Sequence, residues 1–264
     1  MTNTVSEIPN ILYKYRDYKN AYNRKTLFEF ELFLATTSMF NDPYEGSIPF
    51  TYDPKDLTPE NIFLKMRQLA INEHPDWSEA EIQNYCFEGQ RKDLLNDDKH
   101  IEQFNEQNRK DIDKTFGIFS MTTNPLNYLM WSHYGNSHTG FCIGFDSTIL
   151  FDTVGGGLGP VHYDTEVPKM RLFGDIYDFH LKQLATKSVI WKYEDEYRII
   201  KSKAAKQLII YPKEMIKQIF LGFKMTLSEK NIIIEFAKTN DIDCQIFELS
   251  LDKTTFKLNA LRIY

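Results

Sequence analysis

Trp191-Lys192-Tyr193-Glu194-Asp195-Glu196-Tyr197-Arg198-Ile199-Ile200 is the stretch whose reading decides the fold. Its Ile-Ile end favours a strand. In a strand alternate side chains share a face. A strand over 191–200 therefore lines Glu194, Glu196 and Arg198 along one surface and Asp195, Tyr197 and Ile199 along the other. Two acids and an arginine on a strand that runs into an apolar interior cost free energy unless they are paired or used. The plain alternative is an edge strand with a solvated charged face.

Working outward, a helix over 174–190 carries Lys182 and Lys187 towards this stretch, and strands follow at 208–211 and 216–223. A helix over 228–238, with Ser228 as its N-cap, leads to a last strand pair at 245–249 and 255–262. Upstream, Phe141-Cys142-Ile143-Gly144-Phe145-Asp146 is almost wholly apolar and reads as a central strand. Before it, residues 129–134 suit a short helix stopped by Gly135, with Met130, Trp131 and Tyr134 on one side. The glycine run 155–160 lacks the Lys-Ser/Thr of a phosphate loop and reads as a flexible connection.

The first strand spans 11–16, with Leu12, Lys14 and Arg16 on one face and Tyr13 and Tyr15 on the other. A polar helix over 20–30 and a second strand over 31–38 follow. Asn41-Asp42-Pro43 then signals a turn, since the residue before proline leaves the helical region and Asn and Asp bond their own backbone. Ser38, Asn41, Asp42 and Glu45 gather there as polar groups suited to a sugar or phosphate. Residues 53–115 read as a helical insertion, with helices over 61–73, from Ser78 and over 97–113, before a third strand at 116–121. The sum is one α+β domain over 1–264 with a mixed, mostly antiparallel central sheet.

Composition narrows the functional classes. The 264 residues carry a net charge of −6, so no global basic field draws nucleic acid. Aromatic residues make 14% of the chain, enough for core packing and for walls that stack a base or nicotinamide. Cys86, Cys142 and Cys244 are widely spaced, which fits free thiols in a reducing cytoplasm. The start lacks a signal-peptide pattern, and no run nears the roughly 18 apolar residues of a membrane span. A cytoplasmic location with no membrane partner is expected. His133, His138, Cys142 and His162 match no tight ligand spacing, so no metal is expected.

Several segments together resemble the bacterial family catalogued as domain of unknown function 2971. They are residues 12–16, 38–45, 130–135, 138–140, Lys187, 191–198 and Leu221-Gly222. The layout is also similar to that of ADP-ribosyltransferase toxins. That resemblance implies NAD as substrate, a macromolecular acceptor (protein or nucleic acid), and an antitoxin or regulatory partner, with a role in phage defence. By position, Arg16 with Tyr13 or Tyr15 corresponds to the NAD-holding first element, Ser38 to the second, and Glu194 or Glu196 to the catalytic glutamate. Asn41, Asp42, Tyr44, Trp131, Tyr134 and Arg198 complete the implied cofactor-binding set. Glu196 is preferred over Glu194 because it shares the phase of Arg198 and lies deeper in the strand. His133 is the third catalytic candidate, as the base of an alternative metal-dependent nuclease or hydrolase using Asp42, Glu45, Glu194 and Glu196. A third reading is a non-catalytic sensor or interaction module in which the Glu/Arg/His set is a buried polar network.

Overall fold

The computed structural model describes residues 8–45 and 48–264. In chain order the elements begin with β1 (Ile11–Arg16), α1 (Ala21–Phe28) and β2 (Glu31–Phe33). Helices α2 (Pro59–Glu73), α3 (Glu79–Arg91) and α4 (Asp98–Thr115) follow, then β3 (Phe116–Thr122), α5 (Tyr128–His133), β4 (Phe141–Asp146) and α6 (Ser147–Val154). Next come β5 (Gly157–Pro160), β6 (His162–Asp164), α7 (Ile176–Leu184), β7 (Thr186–Ser188) and β8 (Glu196–Ser202). The chain closes with β9 (Leu208–Ile210), β10 (Ile216–Leu221), α8 (Leu227–Thr239), β11 (Gln245–Leu251) and β12 (Leu258–Arg262). Two compact units emerge: Met1–Thr36, Thr115–Tyr163 and Lys187–Tyr264 make the first, and Thr37–Lys114 with Asp164–Thr186 the second. Among the described residues no helix is long and apolar enough to cross a membrane.

The first unit is α+β, built on an eight-stranded sheet in the order β12-β11-β10-β4-β1-β3-β8-β5. Every pairing is antiparallel except β10 with β11, which α8 joins as the crossover a parallel pair requires. Both faces of the sheet are covered, and this is why β4 is nearly all apolar. Phe141, Ile143 and Phe145 point to one face, with Leu12, Phe119, Met121, Tyr197 and Ile199. Cys142 points to the other, with Tyr15, Met130, Trp131 and Phe220.

The sheet forks beside β3. One edge of β3 pairs with β8 along its whole length. The other edge is shared. Tyr13 of β1 pairs with Thr122, whereas Ala35 exchanges two backbone hydrogen bonds with Ile118, at 2.9 and 2.8 Å. Between these positions the carbonyl of Ser120 accepts from the Lys14 ammonium at 2.5 Å. A side chain thus takes the place of a ladder partner where β1 and the 34–36 segment diverge.

Four expectations are corrected. The second strand is confined to Glu31–Phe33 and pairs with β9, because Ala35 turns off to β3 and Thr37–Met39 closes a 3₁₀ turn. The glycine run is not a loose connection: Gly157–Pro160 pairs with β8 as the edge strand. A backbone ladder needs no side chains, and proline with glycine blunts the exposed edge. The strand expected over 191–200 starts only at Glu196. Val189–Glu194 is a 3₁₀ helix, and Asp195 turns the chain at φ 46°, with the Thr123 hydroxyl donating to its carboxylate. Finally, Thr226 rather than Ser228 caps α8, forming a reciprocal capping box with Glu229.

In the second unit α2 and α3 pack through Met66, Ala70, Ile82 and Cys86, with Leu95 and Leu172. Asp56 fastens the 164–186 segment there, accepting from Arg171 at 2.7 and 2.9 Å and from the Leu172 N–H at 2.9 Å. The helical segment read from sequence as 53–115 therefore joins α7 in one compact body.

Close approach rather than a positive φ makes glycine necessary at 222. A Cβ there would lie 2.2 Å from the His138 carbonyl oxygen and 2.8 Å from that of Gly140. Those carbonyls accept from Lys224 and Gly222. Gly222→Ala must push this loop away and should destabilise the protein by roughly 1–3 kcal/mol, measured by urea unfolding. An unchanged midpoint would show that the loop yields freely.

Candidate functional site

The functional candidate of the first unit grows from the end of the 3₁₀ turn and the start of β8. Register with β3 pairs Glu196 with Thr122 and Arg198 with Ser120. Glu196, Arg198 and Ser120 therefore share the sheet face of Tyr15 and Trp131, while Tyr197 and Ile199 enter the opposite core. Asp195, held left-handed, swings Glu194 back over the same face.

Lys187 from β7 closes the group. Its ammonium bonds Glu194 Oε2 at 2.6 Å and Glu196 Oε2 at 3.1 Å. Arg198 grips Glu196 with two nitrogens, Nε to Oε1 at 2.7 Å and Nη2 to Oε2 at 3.0 Å. The Tyr134 hydroxyl donates to Glu194 Oε1 at 2.7 Å, and the Tyr163 hydroxyl accepts from the Glu196 N–H at 2.9 Å. Lys187, Glu194, Glu196 and Arg198 are each at most 5% exposed. Burial of this depth opposes ionisation of Glu196. The Arg198 guanidinium, Lys187 and a Ser120 hydrogen bond outweigh it and bring its pKa to about 2.

Lys14 and Arg16 stand on the other face, by their register with Ile143 and Phe141. Both lie over the Phe119 ring, at 5.1 and 5.9 Å from its centre. Arg16 Nε donates to Thr26 Oγ1 at 3.0 Å. Burial lowers the pKa of Lys14 first. Arg16 and Arg198 lower it further, while Glu196 and Glu194 pull it back, leaving it at about 7. The fork is where the charges of the two faces sense one another.

The remaining sequence candidates fall in several places. Tyr15 is buried, donates to the Asn124 carbonyl at 2.7 Å and meets Trp131 edge-on at 5.1 Å. Trp131 is fully buried with its indole N–H on the Pro125 carbonyl, so it is core and offers no open stacking face. Tyr13 donates to Gln218 at 2.7 Å, away from the ion cluster. His133 is exposed at the end of α5, 6.2 Å from the Tyr134 ring and 6.3 Å from that of Tyr193. Ser38, Asn41, Asp42 and Tyr44 belong to the second unit. There the Ser38 N–H donates to Asp113, and Asp42 is buried with Oδ1 accepting from the Tyr44 N–H at 2.9 Å. Tyr44 is exposed.

Glu194, Glu196, Arg198 and Tyr134 are thus brought together. Sequence reasoning misses Ser120 and Tyr163, and it assigns Lys14 only to a face. A lysine in a strand between aromatic residues was the one signal available. Among the described residues no group of three or more His, Cys, Asp or Glu side chains is disposed to hold a metal ion.

Removing Lys187 leaves two buried carboxylates with less compensation. Lys187→Met should cost about 3–5 kcal/mol, and adding Glu194→Gln should recover part of it, as read in a double-mutant unfolding cycle. Strict additivity would deny the coupling. The sign of the acid limb follows from Glu196, whose folded pKa of about 2 lies below its ordinary 4.5. Its stabilisation is complete above pH 4.5 and is lost as pH falls towards 2. Acid unfolding of Glu196→Gln should show a shallower slope in that window than the parent protein.

Comparison with known proteins adds one finding. No curated protein and no solved structure matches the chain. Residues 130–199 match the family model described as Protein of unknown function (DUF2971). The matched segment holds Tyr134, Tyr163, Lys187, Glu194, Glu196 and Arg198, whereas Lys14 and Arg16 lie outside it. The match is confined to residues 130–199, and the ion cluster lies within them.

Proposed function

We propose that this protein is an NAD-consuming enzyme of the ADP-ribosyltransferase type, acting at the start of β8 in its first unit. The observation that supports the reading is the grouping of Glu196, Arg198 and Tyr134 on one face at the start of β8; Lys14 and Arg16 stand on the opposite face of the sheet and take no part in it. Glu196 starts β8 two residues before Arg198 and is gripped by its guanidinium. An arginine that stays charged at neutral pH suits a pyrophosphate. A carboxylate kept ionised suits the positive charge that grows on the ribose as the glycosidic bond opens.

In this reaction the bond between ribose C1′ and the nicotinamide nitrogen breaks. Nicotinamide leaves with the electron pair, an acceptor nucleophile bonds C1′, and its proton passes to solvent. The acceptor is a macromolecule or, in simple hydrolysis, water. A role in phage defence and control by an inhibitory partner belong to the same proposal.

Complete pairing of Glu194 and Glu196 favours a second reading, a non-catalytic interaction module whose ion cluster holds β7, β8 and α5 together. One experiment separates the two. Purified protein is incubated with NAD carrying label in the adenylate, and nicotinamide release and labelled product are measured for the wild type, Glu196→Gln and, as a control on the opposite face, Arg16→Ala. The enzymatic reading expects turnover by wild type and a loss of about a hundredfold or more in Glu196→Gln, with both variants still folded by circular dichroism. An inert wild type, together with a steep loss of stability in Glu196→Gln, would establish the module instead.

A further inference from the structure

A hollow at the start of the parallel pair β10 and β11 lies outside everything assigned so far. It has a volume of about 450 Å³, within the range of small-molecule sites. Three features of the chain converge on it.

The first is a register shift between Ile216 and Gln218 where β10 meets β4, which makes Lys217 the extra residue of a bulge. Bulges re-aim the side chain they carry, and Lys217 lines the hollow. The second is Gly144, opposite Gln218 in the register. A Cβ at 144 would lie 2.8 Å from the Tyr13 ring, so glycine lets that ring settle against β4.

The third follows from the second. The Tyr13 hydroxyl donates to Gln218 Oε1 at 2.7 Å, and Gln218 Nε2 donates to Gln245 Oε1 at 3.2 Å. Burial raises the Tyr13 pKa to about 12, which keeps the first donor protonated. Each glutamine thus accepts on its oxygen, and the relay ends with the Gln245 amide nitrogen as a donor at the hollow.

Charges of both signs line the same wall. Among the described residues neither Lys217 nor Asp243 is held in an ion pair. Asp146 already caps α6 through Oδ1, and Arg262 Nε is engaged by the Tyr264 carbonyl. A simple anion would face the repulsion of Asp243 and Asp146, and a simple cation that of Lys217 and Arg262. A molecule bearing both charges meets neither penalty.

We infer that this hollow binds a small zwitterion of the free α-amino acid class. Its carboxylate bonds the Lys217 ammonium and the Gln245 amide N–H, and its ammonium bonds the Asp243 carboxylate. The site is independent of the NAD reading and uses none of the ion-cluster residues.

The test titrates the full chain with each of the twenty free amino acids at millimolar concentration, by calorimetry and by thermal shift. Any that binds is repeated as its methyl ester and its N-acetyl derivative. At least one amino acid should bind, and either blocking group should weaken it by about tenfold or more. Lys217→Met and Asp243→Asn should weaken it similarly while leaving the melting temperature of the unliganded protein nearly unchanged. Tyr13→Phe, which touches no ligand, should weaken binding by a smaller factor through loss of the relay. The inference is overturned if no amino acid binds. Binding that survives N-acetylation, or that is unaltered in Lys217→Met, overturns it equally.

Discussion

The structure depends on the mutual neutralisation of Lys187, Glu194, Glu196 and Arg198 inside the first unit. Taking such charges from water costs several kcal/mol for each ion. Here the loss is offset by short contacts, a bidentate arginine, the Tyr134 hydroxyl on Glu194 and the Ser120 side chain on Glu196. The same contacts fix three pieces of local structure. Lys187 ties β7 to the strand that follows it, Tyr134 ties α5 to the 3₁₀ turn, and Glu196 ties the start of β8 to its own arginine. Removing any one member exposes the rest to the full desolvation penalty, which makes the cluster cooperative.

The fork beside β3 is the second constraint. The antiparallel part of the sheet could have run unbroken from β4 to β5, yet β1 pairs with β3 at a single position. Ala35 claims the next one, and the Lys14 amine bonds the carbonyl left between them. A lysine so placed is short of both water and counter-charge, and its ammonium is correspondingly easy to deprotonate. Such geometry is costly to the fold and is more often kept for chemistry than for stability. The ionised Glu196 beside Arg198, on the opposite face, carries the enzymatic proposal, as the full pairing of the glutamates carries the alternative.

Edge management explains two otherwise dissimilar segments. The glycine-rich 157–160 run is an edge strand because a ladder asks only for backbone groups, and its composition discourages further pairing. At the start of β10 a single extra residue turns Lys217 out of the regular alternation and shapes the hollow at that end. Both are local departures from a regular sheet, and both depend on a neighbour distant in sequence.

Much of the fold was legible from periodicity. The strands at 11–16 and 141–146, the helices of the 53–115 region and the α+β class follow from alternation, helical spacing and capping residues, which act within one turn or one strand. The shared face of Glu196 and Arg198 was also legible from strand phase, whereas Glu194, expected there by the same phase, reaches it only because the left-handed Asp195 turns the 3₁₀ helix back. What sequence left open is everything set by pairing between distant segments. Ser120 and Tyr163 join the cluster only because β3 and the 157–163 segment flank β8, and Lys14 senses it from β1, on the far side of β3. Trp131 is core because Tyr15 and Pro125 close over it. Alternation can say which side of a strand a residue takes. Only the tertiary structure decides what stands opposite, because register and edge choice are settled by the whole sheet at once.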